Sequence, residues 1–210
     1  MLQERYGGEW LAGKLIPPDR WRPWPTAAER RKWRAIRSAD QRVLIARGRN
    51  ALATPWPPLP ATLCLEFLRN GNRARFEKSH FARRALLGQW VLAECLEGQG
   101  AFLNPIADGI WSLCEESSWC LPAHIPMQQA GSGLPDATEP IVDLFAAETA
   151  ALLAWTHYLL RPQLDTVSPQ IALRIVREAQ SRILTPCRVR DDFWWMGFRH
   201  KVVNNWNPWI

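Results

Sequence analysis

Three amides and two indoles crowd the end of this chain, as Asn204, Asn205, Trp206, Asn207, Pro208 and Trp209. Amide side chains carry donors and acceptors, so they can bind hydroxyls and carboxylates. An indole adds a flat apolar face and one N–H. Together these groups suit a wall that holds a sugar ring; packing of a terminal loop is the competing use. A second cluster is the segment EESSWCLPAH, which brings Glu115, Glu116, Trp119 and His124 close together in sequence. Two acids, an indole and an imidazole can line a cleft, and histidine moves protons near neutral pH. The competing use of His124 is a buried ring bonded to loop carbonyls. Acids at a helix C-terminus oppose the helix dipole, which favours a role for Glu115 or Glu116 beyond solvation. Trp194 and Trp195 form a third group, either an aromatic platform or core.

Other chemistries are missing from the sequence. It has no Walker loop, no GxGxxG, no HExxH and no GxSxG. The five cysteines are odd in number and scattered, which argues against a disulfide framework. Four dispersed histidines give no metal motif, so no metal and no cofactor are expected. The formal net charge is +6 and arginine dominates the basic set. Arginine grips carboxylate or sulfate bidentately, which suits an acidic ligand. Nucleic acid is the rival polyanion, but no aromatic–basic interleaving supports it. Many of the arginines fall at 20–49, where a solvated helix face explains them. No apolar stretch is long enough to span a membrane.

The elements that would position these groups read as helices. Residues 1–25 are an irregular lead-in. Thr26 with Glu29 makes a capping box that opens a basic helix to about Gly48. A stiff Pro-Trp-Pro-Pro connector follows, then a short helix from Ala61 to Leu68, stopped by Asn70-Gly71. The next helix spans about Arg75 to Leu96, with Phe81, Ala85, Leu86, Trp90 and Ala93 as its apolar face. Another runs from Pro105 through Glu116. Residues 117–140 form a long loop, and loops of that length are commonly functional or mobile. Residues 141–161 are almost wholly apolar, so this helix should be the most enclosed. Ser168 and Pro169 open the next helix, which Thr185-Pro186 should stop. Phe193 to Val203 reads as a short helix leading into the amides. No alternating strand pattern appears, so the chain is expected to be all-α, in antiparallel helix pairs with the functional loops at one end.

Five stretches carry a resemblance: PWPPLPATLCLEFLRNGNRARFE, FARRALLGQWVLAECLEGQGAF, GIWSLCEESSWCLPAH, LFAAETAALLAW and NNWNPWI. From about Trp56 to Ile210 the chain resembles the N-terminal helical domain of the heparinase II/III-like polysaccharide lyases. The resemblance implies an incomplete (α/α) toroid over 56–210, with 1–55 as lead-in and basic helix. It implies an acidic, uronate-containing glycan as the partner, cleaved by β-elimination. Relatives carry Asn-Asn-His-Gly where this chain has Asn204, Asn205, Trp206 and Asn207. By that match Asn205 resembles the carboxylate-neutralising Asn, while Trp206 replaces the motif's histidine and cannot be a base. Neither Tyr6 nor Tyr158 stands where the family's catalytic Tyr would. The expected catalytic residues are Asn205, by that match, and His124, from its loop, with the general base expected beyond residue 210. The expected substrate-binding residues are Asn204, Trp206, Asn207, Trp119, Glu116, Trp194 and Trp195. The chain is expected to be a fragment of a larger lyase; a non-catalytic carbohydrate-binding relative is the alternative. The start, MLQERYGGEWLAGKL, lacks a signal-peptide apolar run. That favours a cytoplasmic location, against the periplasmic or secreted location of many relatives.

Overall fold

The computed structural model describes residue 4 and residues 6–9, 13–17, 19–199 and 204–210. Among these the regular structure is helical and no strand occurs. In chain order the helices are α1 (Arg30–Arg34), α2 (Ser38–Leu52), α3 (Ala61–Cys64), α4 (Glu66–Asn70), α5 (Ala74–Glu97), α6 (Leu103–Cys114), α7 (Leu144–Val167), α8 (Pro169–Ala179) and α9 (Thr185–Val189). A 3-10 turn at Pro122–Met127 sits in the long loop, and another follows at Trp194–Met196.

Two packed pairs position the site. A tight turn with left-handed Gly98 and Gly100 joins α5 to α6. Glu94 fixes this turn by accepting from Gly100 N and Phe102 N. Ser168 alone joins α7 to α8, where its hydroxyl caps α8 and Pro169 takes the first helical position. Short connectors between packed neighbours make both pairs antiparallel. The C-termini of α6 and α8 and the N-termini of α5 and α7 thus share one end of the molecule. Hydrogen bonds tie that end together: Arg174 and Arg182 both donate to Cys114 O, and Arg84 donates to Thr149 and Glu116. The long loop 115–143 and the segment after α9 both lie at this end.

The core is continuous through the pairs, built on Leu87, Phe102, Ile106, Ile110, Leu113, Leu153, Leu160 and Leu164. Ala27, Trp33 and Ala51 of the lead-in and basic-helix segment belong to the same cluster. All five cysteines are unpaired.

Several boundaries differ from the sequence reading for local reasons. Thr26 N does donate to Glu29, one arm of the capping box. The helix that follows breaks at 35–37, because the Gln41 amide takes the carbonyls of Arg34 and Ile36. Thr185-Pro186 does not stop α8. A π turn at Gln180–Leu184 carries the chain on to α9, with Pro186 near the start of α9, where a missing N–H is harmless. Of the expected helix at 193–203 only Trp194–Met196 is a 3-10 turn, and 200–203 lie outside the described residues.

Helix α7 is not the most enclosed element. It buries seven side chains on one stripe, from Ala146 to Leu164, whereas α5 buries ten. An apolar sequence on every face still buries only the faces that meet neighbours. Its outer face carries Trp155, which meets Trp21 of the lead-in at 6.2 Å. On α5 Leu86, Trp90 and Ala93 of the expected face are buried, but Phe81 and Ala85 are exposed, and Leu87 and Val91 extend the buried face instead.

Candidate functional site

Asp143 organises the shared end. It immediately precedes α7 and is fully buried. Its Oδ1 accepts from Ala146 N at 2.7 Å, which makes it the helix N-cap. Its Oδ2 accepts from Leu121 N at 3.1 Å and lies 2.7 Å from His124 Nδ1. His124 sits in the first 3-10 turn, its N–H on Leu121 O. Its ring lies parallel to Phe145 at 6.2 Å, and its edge meets Trp206 at 4.8 Å. The imidazole side chain keeps 18% exposure. It is thus held from one nitrogen and open to solvent in part.

The final turn is knitted by its own amides. Asn204 Nδ2 and Asn207 Nδ2 both donate to Trp195 O, at 3.2 and 2.6 Å. Asn207 Oδ1 accepts from Asn204 N, and Asn204 Oδ1 accepts from Trp206 N, each at 2.8 Å. These two amides hold the turn in place. Asn205 is the exposed member, and no described group bonds its amide. Trp206 packs between His124 and Trp194, whose ring lies 4.9 Å away and is 45% exposed.

Three residues expected to bind substrate are largely buried, although Glu116 and Trp119 still contribute to the lining of a cleft at this end. Trp119 is buried, its Nε1 donates to Leu113 O at 2.8 Å, and the Arg182 guanidinium covers its ring. It does not share the exposed face of His124. Trp195 is buried, with Nε1 on Val142 O and its ring stacked on Phe193. Glu116 is buried in an ion pair with Arg83 and Arg84, at 3.0 and 2.7 Å. That partnership is why an acid is tolerated just beyond the C-terminus of α6. His124, Trp206 and Trp194 do come together, and the exposed Asn205 is the chain neighbour of Trp206.

A cleft of about 930 Å³ opens at the same end, lined by Glu115, Ser117, Thr138, Arg174, Arg177 and Arg182 among others. His124 is not in its lining. Arg174 and Arg182 are engaged by Glu178 and by helix-end carbonyls. Arg177 is exposed in it.

Cys120, His124 and Asp143 place potential ligand atoms within 4.8 Å of one another, a grouping their spacing in sequence conceals. They are the residues that could hold a metal. Two features oppose that use. The oxygens of Asp143 already take two backbone N–H groups and the imidazole. The Cys120 thiol donates to Leu121 O, and burial first, then the Asp143 charge, pushes its pKa well above the ordinary value. The group therefore reads as a hydrogen-bonded anchor for His124.

Asp143 is the residue sequence reasoning missed. Its signal is present, an Asp immediately before an apolar helical run, but the apolar run from 141 reads as helix from its start. No family model matches the chain, and no curated protein matches it. No helix among the described residues is long and apolar enough to cross a membrane.

Proposed function

We propose that the helix pairs form an arc of an (α/α) toroid, and that its loop-bearing end acts on a uronate-containing glycan by β-elimination. The observation that carries this reading is the 4.8 Å contact between the rings of His124 and Trp206. By the resemblance, Trp206 takes the position of the lyase motif's histidine. His124 brings an imidazole to that place from another part of the chain. The exposed Trp194 offers the sugar an apolar face, and the exposed Asn205, next to Trp206 in the chain, offers an amide.

In the reaction, Asn205 donates to the uronate carboxylate as charge builds on it. His124 takes the proton from C5. The C5–H pair becomes the C4=C5 double bond, and the C4–O bond breaks with its electrons on the leaving oxygen. That oxygen is protonated by water.

The test is ultraviolet detection of the unsaturated uronate on a panel of acidic glycans. His124→Ala should abolish product. Asn205→Ala should lower kcat by roughly 10²–10³, comparable to losing one oxyanion donor, with KM changing less. Unchanged kcat in either variant rejects the assignment of that residue.

A second reading, a non-catalytic carbohydrate-binding relative, is favoured by the inward commitment of Asn204 and Asn207. Binding to a glycan that yields no product would select it.

A further inference from the structure

We propose that Asp143 is a positioning residue for His124: it fixes the proton on Nδ1 and leaves Nε2 bare as the nitrogen that reacts. The inference rests on the proton-handling role given to His124 above.

Three nitrogens converge on the two oxygens of Asp143: the backbone donors Ala146 N and Leu121 N, and His124 Nδ1, at 2.7, 3.1 and 2.7 Å. An ionised carboxylate only accepts, so the imidazole nitrogen facing it must carry a proton. In a neutral ring the other nitrogen is then bare. The backbone donors hold the carboxylate in one orientation from both sides. The parallel Phe145 face and the Trp206 edge restrict the ring plane.

Capping alone does not explain the residue. Helix α8 is capped by the neutral hydroxyl of Ser168. Asp143 does the same task at α7 while fully buried, where a charge is costly unless bonded. The imidazole contact gives the charge a use that a hydroxyl could not supply. When Nε2 takes the C5 proton, the ring becomes a cation with a proton on each nitrogen, and Asp143 faces that new charge. The leaving oxygen takes its proton from water. The imidazolium then returns the Nε2 proton to the hydroxide formed, and the neutral ring is restored.

Two variants test the proposal, with nitrogen NMR of the His124 ring as the first readout. In the wild type, Nδ1 should be protonated and Nε2 bare. Asp143→Asn keeps the shape and a cap acceptor but can donate to Nδ1, so the proton should move largely to Nε2. Asp143→Ser keeps a cap of the kind Ser168 provides and should leave a mixture of the two tautomers. In both variants kcat should fall, by up to roughly 10⁴-fold where the wrong tautomer dominates, with KM changing much less.

A wild-type ring protonated on Nε2 overturns the proposal. So does an unchanged tautomer in folded Asp143→Asn and Asp143→Ser proteins, which would leave Asp143 as a cap only. Absence of product from the wild type sinks the lyase reading. The NMR arm would still decide the tautomer.

Discussion

Two buried ionisable groups on α5 and beside it determine what single substitutions should do. Glu116 holds both Arg83 and Arg84 in a place with little access to solvent. Glu116→Ala leaves two half-buried guanidinium groups without their anion. It should destabilise by about 3–5 kcal/mol in urea unfolding. His80 is the opposite case, a fully buried ring with neither nitrogen bonded by a described group. Burial, then the charges of Arg84 and Arg83, push its pKa from 6.5 down to about 2. The folded state therefore keeps the ring neutral while the unfolded state takes a proton below 6.5. Stability falls as pH drops, by at most about 1.4 kcal/mol per pH unit, until the folded pKa is reached. His80→Phe, between Phe76 and Phe81, should flatten that slope between pH 6.5 and pH 4 in thermal melts. An unchanged slope would place the pH sensitivity elsewhere. The amide motif shows where residue-scale reading runs out. Asn204, Asn205 and Asn207 look equivalent in sequence, but a carbonyl nine and twelve residues away, on Trp195, occupies two of them.

At the scale of elements, signals that act within one turn were legible. The Ser168 cap, Pro169, left-handed Gly71 and Gly98, and the spans of α5 and α6 follow from neighbouring residues alone. Misplaced boundaries depend on groups the chain brings from farther off. The break before α2 needs the Gln41 side chain, and the passage past Pro186 needs a π turn. The same distinction governs helix crossings. Gly48 of α2 lies against α5 so closely that an added Cβ would collide with the Ala93 side chain and press on Gln89 O. Helix α2 reaches the core only because this position is bare. Gly48→Ala should therefore destabilise by about 1–3 kcal/mol through overpacking, despite alanine's better helix propensity. A stabilised variant in chemical denaturation would mean that the two helices can separate without loss.

Over the whole molecule, the all-helical class was readable because no period-two pattern competes with the helical one. How the pairs arrange was not, because faces with apolar residues on all sides do not say which neighbour covers them. Helix α8 makes the point physically. Its inner side, with Ile171, Ala172 and Ile175, is buried against α7 and α6. Its outer side carries Leu173 and Val176, more than half exposed, and the exposed Leu184 and Val189 lie farther along the same segment. Residues three apart on a helix share a face, so Leu173 and Val176 form a stripe rather than scattered points. Exposed apolar stripes favour association when they merge into a patch beyond a few hundred Å². The 210-residue protein should therefore self-associate as its concentration rises, seen as a growing mass in sedimentation velocity. Leu173→Glu with Val176→Glu should restore the monomer. Because neither side chain is in the core, the melting temperature of the dilute protein should move little. A wild type that stays monomeric at high concentration would show that the stripe is too small to drive association. A double variant that unfolds would show that these residues support the fold.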